Sequence, residues 1–258
     1  MTARIVIHAG FHKTGTTSAQ EVLRINRAQL KPHLRVVRRP GMVGLCEAAR
    51  AYSVSRAASD LALVQYEAAE LAEGFGRKPV LLSSEDLCGH MPGRRGLMAY
   101  DAAPKLVAAI TRTFAAVHPR AEQRVILTTR APEPWLRSCY VQHLRATPIT
   151  LDAEAYAADY AASADLSGVA QAVARALDAH VALETLALED IGALRLGPAE
   201  ALLARACPAL DLSPFTPAAP ANTAPPQAKI DAMLAVNRAG LPEAERRAQM
   251  KTLHGRDW

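Results

Sequence analysis

The fold of this 258-residue chain is decided by the stretch Ile5-Val6-Ile7-His8-Ala9-Gly10-Phe11-His12-Lys13-Thr14-Gly15-Thr16-Thr17-Ser18. Its first part is a short, continuous apolar run, which is typical of a β-strand buried on both faces. A turn bounded by two glycines follows, and a helical pattern of apolar residues comes next. The free N–H groups and the positive dipole end of a helix N-terminus attract phosphate, and Lys13 adds a full charge beside them. The stretch therefore predicts a strand, a phosphate-binding loop and a helix, with hydroxyl donors at Thr16, Thr17 and Ser18.

The same kind of apolar run recurs along the chain. The predicted strands are Arg4–Ala9, Pro79–Ser83 and Arg124–Thr129, with weaker patterns over Leu34–Val37 and Val181–Leu186. Continuous apolar strands are expected where helices cover both faces of a parallel sheet. Strand and helix patterns alternate, which indicates the α/β class with right-handed crossovers.

The chain is predicted to form a single α/β domain over residues 1–258. The predicted helices are Thr17–Leu30, Ser55–Gly74, Asp101–His118, Pro134–Arg145, Asp152–Ala162, Leu166–Ala179, Pro198–Ala206, Gln227–Ala239 and Pro242–Leu253. The stretch from about 147 to 179 carries no strand pattern and is interpreted as a helical elaboration over the sheet. Residues 212–226 are rich in Pro and Ala and predict an extended loop, in which Asn222 and Thr223 could belong to a lid.

The predicted phosphate loop differs from a Walker A loop in the place of its lysine. Walker A has Lys directly after its last Gly, whereas Lys13 comes two residues before Gly15. A nucleoside triphosphatase also needs an acid after an apolar strand to hold Mg²⁺, and the strand 124–129 is followed by Arg130. Leu81–Asp86 could imitate such a strand, but its acids come after two serines. The balance favours phosphate binding without a metal, with a P-loop small-molecule kinase as the alternative.

A second anion site is predicted where the strand 124–129 ends. Arg130 stands at the strand's end, and Pro134 suits the first turn of a following helix. Ser138 lies on that helix, eight residues after Arg130, so both side chains could converge on one phosphate.

These two segments together resemble the sulfotransferase family, in its bacterial-type branch. Lys13-Thr14-Gly15-Thr16-Thr17 after a strand is similar to the family's 5′-phosphosulfate loop, and Arg130-x7-Ser138 to its 3′-phosphate segment. The resemblance covers some 25 residues and implies a P-loop-like three-layer fold with 3′-phosphoadenosine 5′-phosphosulfate as donor. It implies that Lys13 contacts the 5′-phosphate and the bridging oxygen, and that Arg130 and Ser138 hold the 3′-phosphate. The remaining donor-binding residues that it implies are His12, Thr14, Gly15, Thr16, Thr17 and Ser18.

Sulfonate transfer needs a base that takes the acceptor's proton, and the family uses either His or Glu. Glu85 is the leading candidate because it leaves the second apolar strand at the sheet edge where open α/β sheets bind ligands. His90 in the following loop and His12 in the phosphate loop are the other candidates. Each of the three could instead have a structural role, as a capping acid or as a residue that shapes a turn.

The acceptor is less clearly indicated. The sequence shows no aromatic-rich pocket for a flat phenolic acceptor, which favours a polar hydroxyl or amine acceptor such as a sugar. Tyr140, His143 and Arg145 could face the acceptor cleft or form a solvated helix face. Besides a sulfotransferase and a P-loop kinase, a third hypothesis is a non-catalytic nucleotide-binding protein on the same fold.

The charge and composition of the chain limit the classes of partner that we expect. The net charge is +5, and six of the 30 basic residues are Lys, but these residues are scattered and only 5% of the chain is aromatic. This pattern argues against nucleic acid as a partner and suits a small anionic ligand. No apolar run reaches the length of a membrane span, and no separate leader precedes the first strand, so we expect a cytoplasmic protein. The four cysteines have no metal-site spacing and are expected to be idle thiols.

Overall fold

A single parallel sheet organises the chain. The computed structural model describes residues 4–219 and 224–254. Its strands are β1 (Arg4–Gly10), β2 (Arg35–Arg38), β3 (Val80–Ser83), β4 (Glu122–Thr129) and β5 (Val181–Ala187). They lie in the order β2-β3-β1-β4-β5, and every neighbouring pair is parallel. The predicted α/β class is confirmed, and all five predicted strands are present, including the two with weaker patterns.

Alternate side chains of the central strands face opposite layers, as the pleat requires. Ile5 and Ile7 of β1 belong to the larger hydrophobic core on one face of the sheet. Val6, between them, belongs to the smaller core on the other face, together with Leu81 and Ile126. Burial on both faces explains why these strands read as continuous apolar runs rather than alternating ones.

Helices connect the strands and cover the sheet. They are α1 (Thr16–Ile25), α2 (Arg27–Leu30), α3 (Val43–Ser55), α4 (Ala58–Glu73), α5 (Ala103–Val117), α6 (Pro132–Ala146), α7 (Ala153–Asp159), α8 (Leu166–Ala176), α9 (Leu188–Ile191), α10 (Pro198–Ala206), α11 (Gln227–Arg238) and α12 (Glu243–His254). The stretch 147–179 contains α7, α8 and a short 3-10 helix, Ala161–Ala164. Two helices, α3 and α9, were not among those predicted.

The helix predicted over 17–30 is interrupted at Asn26. The buried Asn26 amide donates to the carbonyl oxygens of Val22 and Thr216 at 2.9 and 2.8 Å. Its Oδ1 accepts from the backbone N–H of Thr216 at 2.8 Å. This side chain therefore ties the Pro-rich loop to the end of α1. Asn222 and Thr223, the predicted lid residues, lie outside the described residues.

Candidate functional site

The phosphate loop joins β1 to α1 at the carboxyl edge of the sheet. Gly10 and Gly15 both have positive φ values, 113° and 93°, which favour glycine. A Cβ at Gly15 would lie 2.7 Å from Leu188 Cδ1 and 3.0 Å from Pro198 Cγ, so the loop packs closely against the segment after β5. No side chain caps the N-terminus of α1. The first N–H groups of that helix are therefore open to an anion.

A buried polar network holds the loop on the sheet. His8 Nδ1 lies 2.9 Å from Ser83 Oγ, and His8 Nε2 lies 3.2 Å from Thr128 Oγ1. The Thr128 hydroxyl also lies 2.6 Å from Thr14 Oγ1 and 3.0 Å from the carbonyl oxygen of Gly10. Burial lowers the pKa of His8 to about 4, so its ring is neutral at neutral pH. Thr14 is fully buried in this network, below the loop.

A cleft of about 650 Å³ opens above the loop and brings most of the predicted residues together. The predicted residues that line it are His12, Lys13, Gly15, Thr16, Thr17, Ser18, Glu85, Arg130 and Ser138. Two predicted residues stand elsewhere. Thr14 lies in the network beneath, and His90 is half-buried behind the cleft wall, where its backbone N–H donates to Ser53 Oγ at 3.0 Å.

Lys13 and Arg130 converge within this cleft. The Arg130 guanidinium donates to the carbonyl oxygen of Lys13 at 3.4 Å, and Lys13 Nζ lies 3.4 Å from Gln142 Oε1. Burial lowers the pKa of the Lys13 ammonium, and the nearby Arg145 and Arg130 act in the same direction. An ammonium that is desolvated and close to other cations gains strongly from an anionic ligand.

Glu85 begins the short 3-10 helix Glu85–Cys88, directly after β3 and Ser84. A Cβ at Gly10 would lie 3.1 Å from both Cα and Cβ of Glu85, so the phosphate loop passes directly beside it. Glu85 faces the cleft half-buried, and its carboxylate makes no hydrogen bond or ion pair with the described residues. It is therefore available to a ligand.

Asp86 and His12 both line the cleft and lie close to each other. Asp86 accepts from Arg39 Nε at 2.9 Å and lies 3.6 Å from His12 Nε2. Burial alone would raise the pKa of Asp86, but the interactions with His12, Arg50 and Arg39 outweigh it and lower the pKa. His12 Nδ1 lies 2.9 Å from the Tyr100 hydroxyl, and so both ring nitrogens of His12 have neighbours within the protein.

The ring of His90 is partly buried and lies near cations. Burial lowers its pKa to about 4, and the cations Arg50 and Arg94 contribute to the shift. A ring this weakly basic is neutral at neutral pH, and it does not line the cleft. The three candidate bases thus differ, and Glu85 alone combines a free acceptor atom with a place on the cleft wall.

Sequence reasoning missed several parts of the cleft lining, among them residues of the segments 188–198 and 217–219. We name two other parts of the lining and call them ends. The phosphate-loop end comprises residues 10–18 with Arg130 and Ser138. The other, which we call the Arg94 end, is lined by Arg50, Met91, Arg94 and Gln142. Ser138, Gln142 and Arg145 are spaced four and three apart on α6, a signal that could have placed them on one face. Of the residues proposed for an acceptor face, Tyr140 and His143 are buried, and the Tyr140 hydroxyl donates to the Leu151 carbonyl at 3.1 Å.

Three further observations concern possible metal ligands, membrane-spanning helices and free thiols. Within residues 4–219 and 224–254, no three His, Cys, Asp or Glu side chains form a group that could hold a metal ion. No helix in these ranges has both the length and the apolar character to cross a bilayer. Cys46, Cys88 and Cys139 are buried free thiols, and burial raises the pKa of each.

Comparison with known proteins gave one similar structure. The chain resembles the crystal structure of a sulfotransferase from Alicyclobacillus acidocaldarius, with 13% identity and a TM-score of 0.48. The match covers 100% of this chain and 98% of the other. No protein-family model matches the chain, and no curated protein matches it in sequence.

Proposed function

We propose that this protein is a sulfotransferase that moves a sulfonate group from 3′-phosphoadenosine 5′-phosphosulfate to a hydroxyl or amine acceptor, with sugars as the expected class. The observation that carries the proposal is the convergence of Lys13, Arg130 and the unpaired carboxylate of Glu85 on one cleft. Two cations at separate strand ends suit a ligand with two phosphate groups. A free carboxylate on the wall of the same cleft suits proton removal.

The residues present fit such a donor. The uncapped N-terminus of α1 would hold the 5′-phosphate through its N–H groups, with the hydroxyls of Thr17 and Ser18 beside it. Arg130 and Ser138 would hold the 3′-phosphate. The donor supplies the activated sulfonate when it is bound, and every other part of the chemistry falls to the side chains of this cleft.

Glu85 would take the proton from the acceptor as the acceptor's oxygen or nitrogen forms its bond to sulfur. The bond between sulfur and the bridging oxygen then breaks, and that oxygen keeps the electron pair. Lys13 would neutralise the charge that grows there, assisted by the dipole of α1. Because the Lys13 ammonium is desolvated, its interaction with a developing anion is stronger than the same contact in water.

Thermal unfolding with and without nucleotides tests this proposal. We expect 3′,5′-bisphosphoadenosine to raise the melting temperature without Mg²⁺, since a ligand that binds only the folded state stabilises it by mass action. ATP with Mg²⁺ should stabilise the protein little. Stronger stabilisation by Mg-ATP would favour the small-molecule kinase instead. Bisphosphate binding without turnover of any acceptor in a screen with labelled donor would favour a non-catalytic nucleotide-binding protein.

A further inference from the structure

The Arg94 end of the cleft contains positive charge that the proposed donor does not use. Arg50 and Arg94 both line this end, and Arg145 lies close enough to lower the pKa of Lys13. The donor's phosphates and sulfonate are accounted for by the phosphate loop, Lys13 and Arg130. In the proposed function, no group of the donor therefore pairs with Arg94.

Arg94 has no ion-pair partner among the described residues. It is partly buried, its Nε has no hydrogen-bond partner, and it forms no ion pair with a carboxylate of residues 4–219 or 224–254. Burial lowers the pKa of its guanidinium, and Arg50 adds to that shift, whereas the nearby Asp86 and Tyr100 act in the opposite direction without reversing it. Because a partly desolvated, unpaired guanidinium is costly, its side chain is set up to receive an anion.

The loop that carries Arg94 is held in place. A Cβ at Gly93 would lie 2.2 Å from the ring of His143, so the loop packs directly on α6. The backbone N–H of Gly93 also donates to the Leu97 carbonyl at 2.7 Å. The adjacent His143 ring has a pKa lowered to about 4 by burial and by nearby cations, so it carries no charge at neutral pH.

The other charges at this end do not cancel Arg94. The carboxylate of Asp86 is shared between Arg39 and His12. Arg50 donates to Glu47 at 3.2 Å, but Glu47 also pairs with Arg39. Glu85 is the other carboxylate on the cleft wall, and it lies next to the phosphate loop. The Arg94 end therefore has a net positive character.

We infer that the acceptor carries an anionic oxygen group, a carboxylate or a sulfate ester, which Arg94 binds while Glu85 faces the hydroxyl or amine that is sulfonated. This inference rests on the proposed function and narrows its acceptor class. Arg50 supplies a second cation, and the fixed fork of Arg94 suits two oxygens of one oxyanion. A neutral sugar would leave Arg94 unpaired in the occupied cleft.

Binding of inorganic sulfate to protein saturated with 3′,5′-bisphosphoadenosine tests the inference, with sodium chloride at equal ionic strength as the reference. We expect sulfate to bind and stabilise further, since the bisphosphate leaves the Arg94 end open. Arg94→Gln should weaken this sulfate binding about 10-fold or more, as for loss of a charged hydrogen bond. The exposed neighbour supplies the matched control, Arg95→Gln, which should leave sulfate binding unchanged.

Two further variants keep the test decisive if Arg94→Gln folds poorly. Arg94→Lys should retain part of the sulfate binding, and Arg50→Gln should weaken it. Sulfate binding that vanishes once the bisphosphate saturates the protein, or that persists in both Gln variants at these two positions, overturns the inference and leaves the proposed function standing. Failure of the bisphosphate itself to stabilise the wild-type protein contradicts the proposed function instead.

Discussion

The two ends of the cleft differ in which segments of the chain form them. The phosphate-loop end consists mainly of one contiguous segment, residues 10–18, which a buried network holds on the sheet. Arg130 and Ser138 complete it. The Arg94 end uses side chains from α3, from the loop before α5 and from α6, and it leaves a guanidinium unpaired. In the proposed function the first end is a preformed anion site, whereas Arg94 in the second gains its counter-charge from the acceptor. In the two proposals together, donor binding and acceptor specificity belong to different parts of one cleft.

The largest expected effect concerns Glu85, the candidate base on the cleft wall. Glu85→Gln should lower turnover by about 10²–10⁴-fold, the usual range for loss of a general base. Bisphosphate binding should be unchanged or slightly tighter, because a negative charge near the phosphates is removed. Steady-state turnover together with calorimetric binding measures both, and Glu73→Gln on the exposed end of α4 is the control. Normal turnover in Glu85→Gln would dismiss this residue as the base.

The next largest expected effect distinguishes the roles of Lys13 and Arg130, the two cations of the phosphate-loop end. Arg130→Ala and Lys13→Ala should each weaken bisphosphate binding by about 10–100-fold, as expected for a lost charged hydrogen bond. If Arg130 holds the 3′-phosphate, its variant should also bind 5′-AMP and the bisphosphate almost equally. Lys13→Ala should weaken both nucleotides. Calorimetry measures both affinities, and Arg137→Ala, at an exposed position of α6, is the control. If Arg130→Ala still binds the bisphosphate more tightly than 5′-AMP, another residue holds the 3′-phosphate.

The buried network beneath the loop predicts a pH effect on stability. The pKa of His8 is about 4 when folded and near 6.5 when unfolded, so the unfolded state binds more protons between these values. Its contribution to stability is complete above pH 6.5 and declines as the pH falls towards 4. Between pH 7 and 5 the free energy of unfolding should drop by about 2 kcal/mol from His8 alone.

Urea unfolding at the two pH values measures this drop. His8→Asn should lower stability at pH 7 yet show a smaller decrease on acidification, because the titrating ring is gone. The exposed His33→Gln should keep the wild-type decrease. An unaltered pH dependence in His8→Asn would mean that other groups, such as His143, cause the acid sensitivity.

The contrast between the two ends also explains what could be predicted from sequence. The strands and the phosphate loop are local features, since Ile5–Ser18 contains the apolar run, both turn glycines and the helix start. The Arg94 end depends on contacts between distant segments. Helix α3 was missed because its buried face is partly made of small residues, such as Cys46, Ala49 and Ser53. Nothing in the pair Arg94-Arg95 tells which side chain turns inward, since that depends on the packing of Gly93 against α6.

The smallest expected effect tests where the two ends meet. Gln142 lies on the same face of α6 as Ser138, and its Oε1 lies 3.4 Å from Lys13 Nζ, so it restrains the lysine without neutralising it. Gln142→Ala should lower kcat by about 2–10-fold, the range for one neutral-acceptor hydrogen bond, with little change in bisphosphate affinity. A much larger rise in KM for the acceptor would instead mean that Gln142 contacts the acceptor directly. The boundary between the ends would then lie on the Lys13 side of Gln142, and specificity would depend on α6 as well as on Arg94.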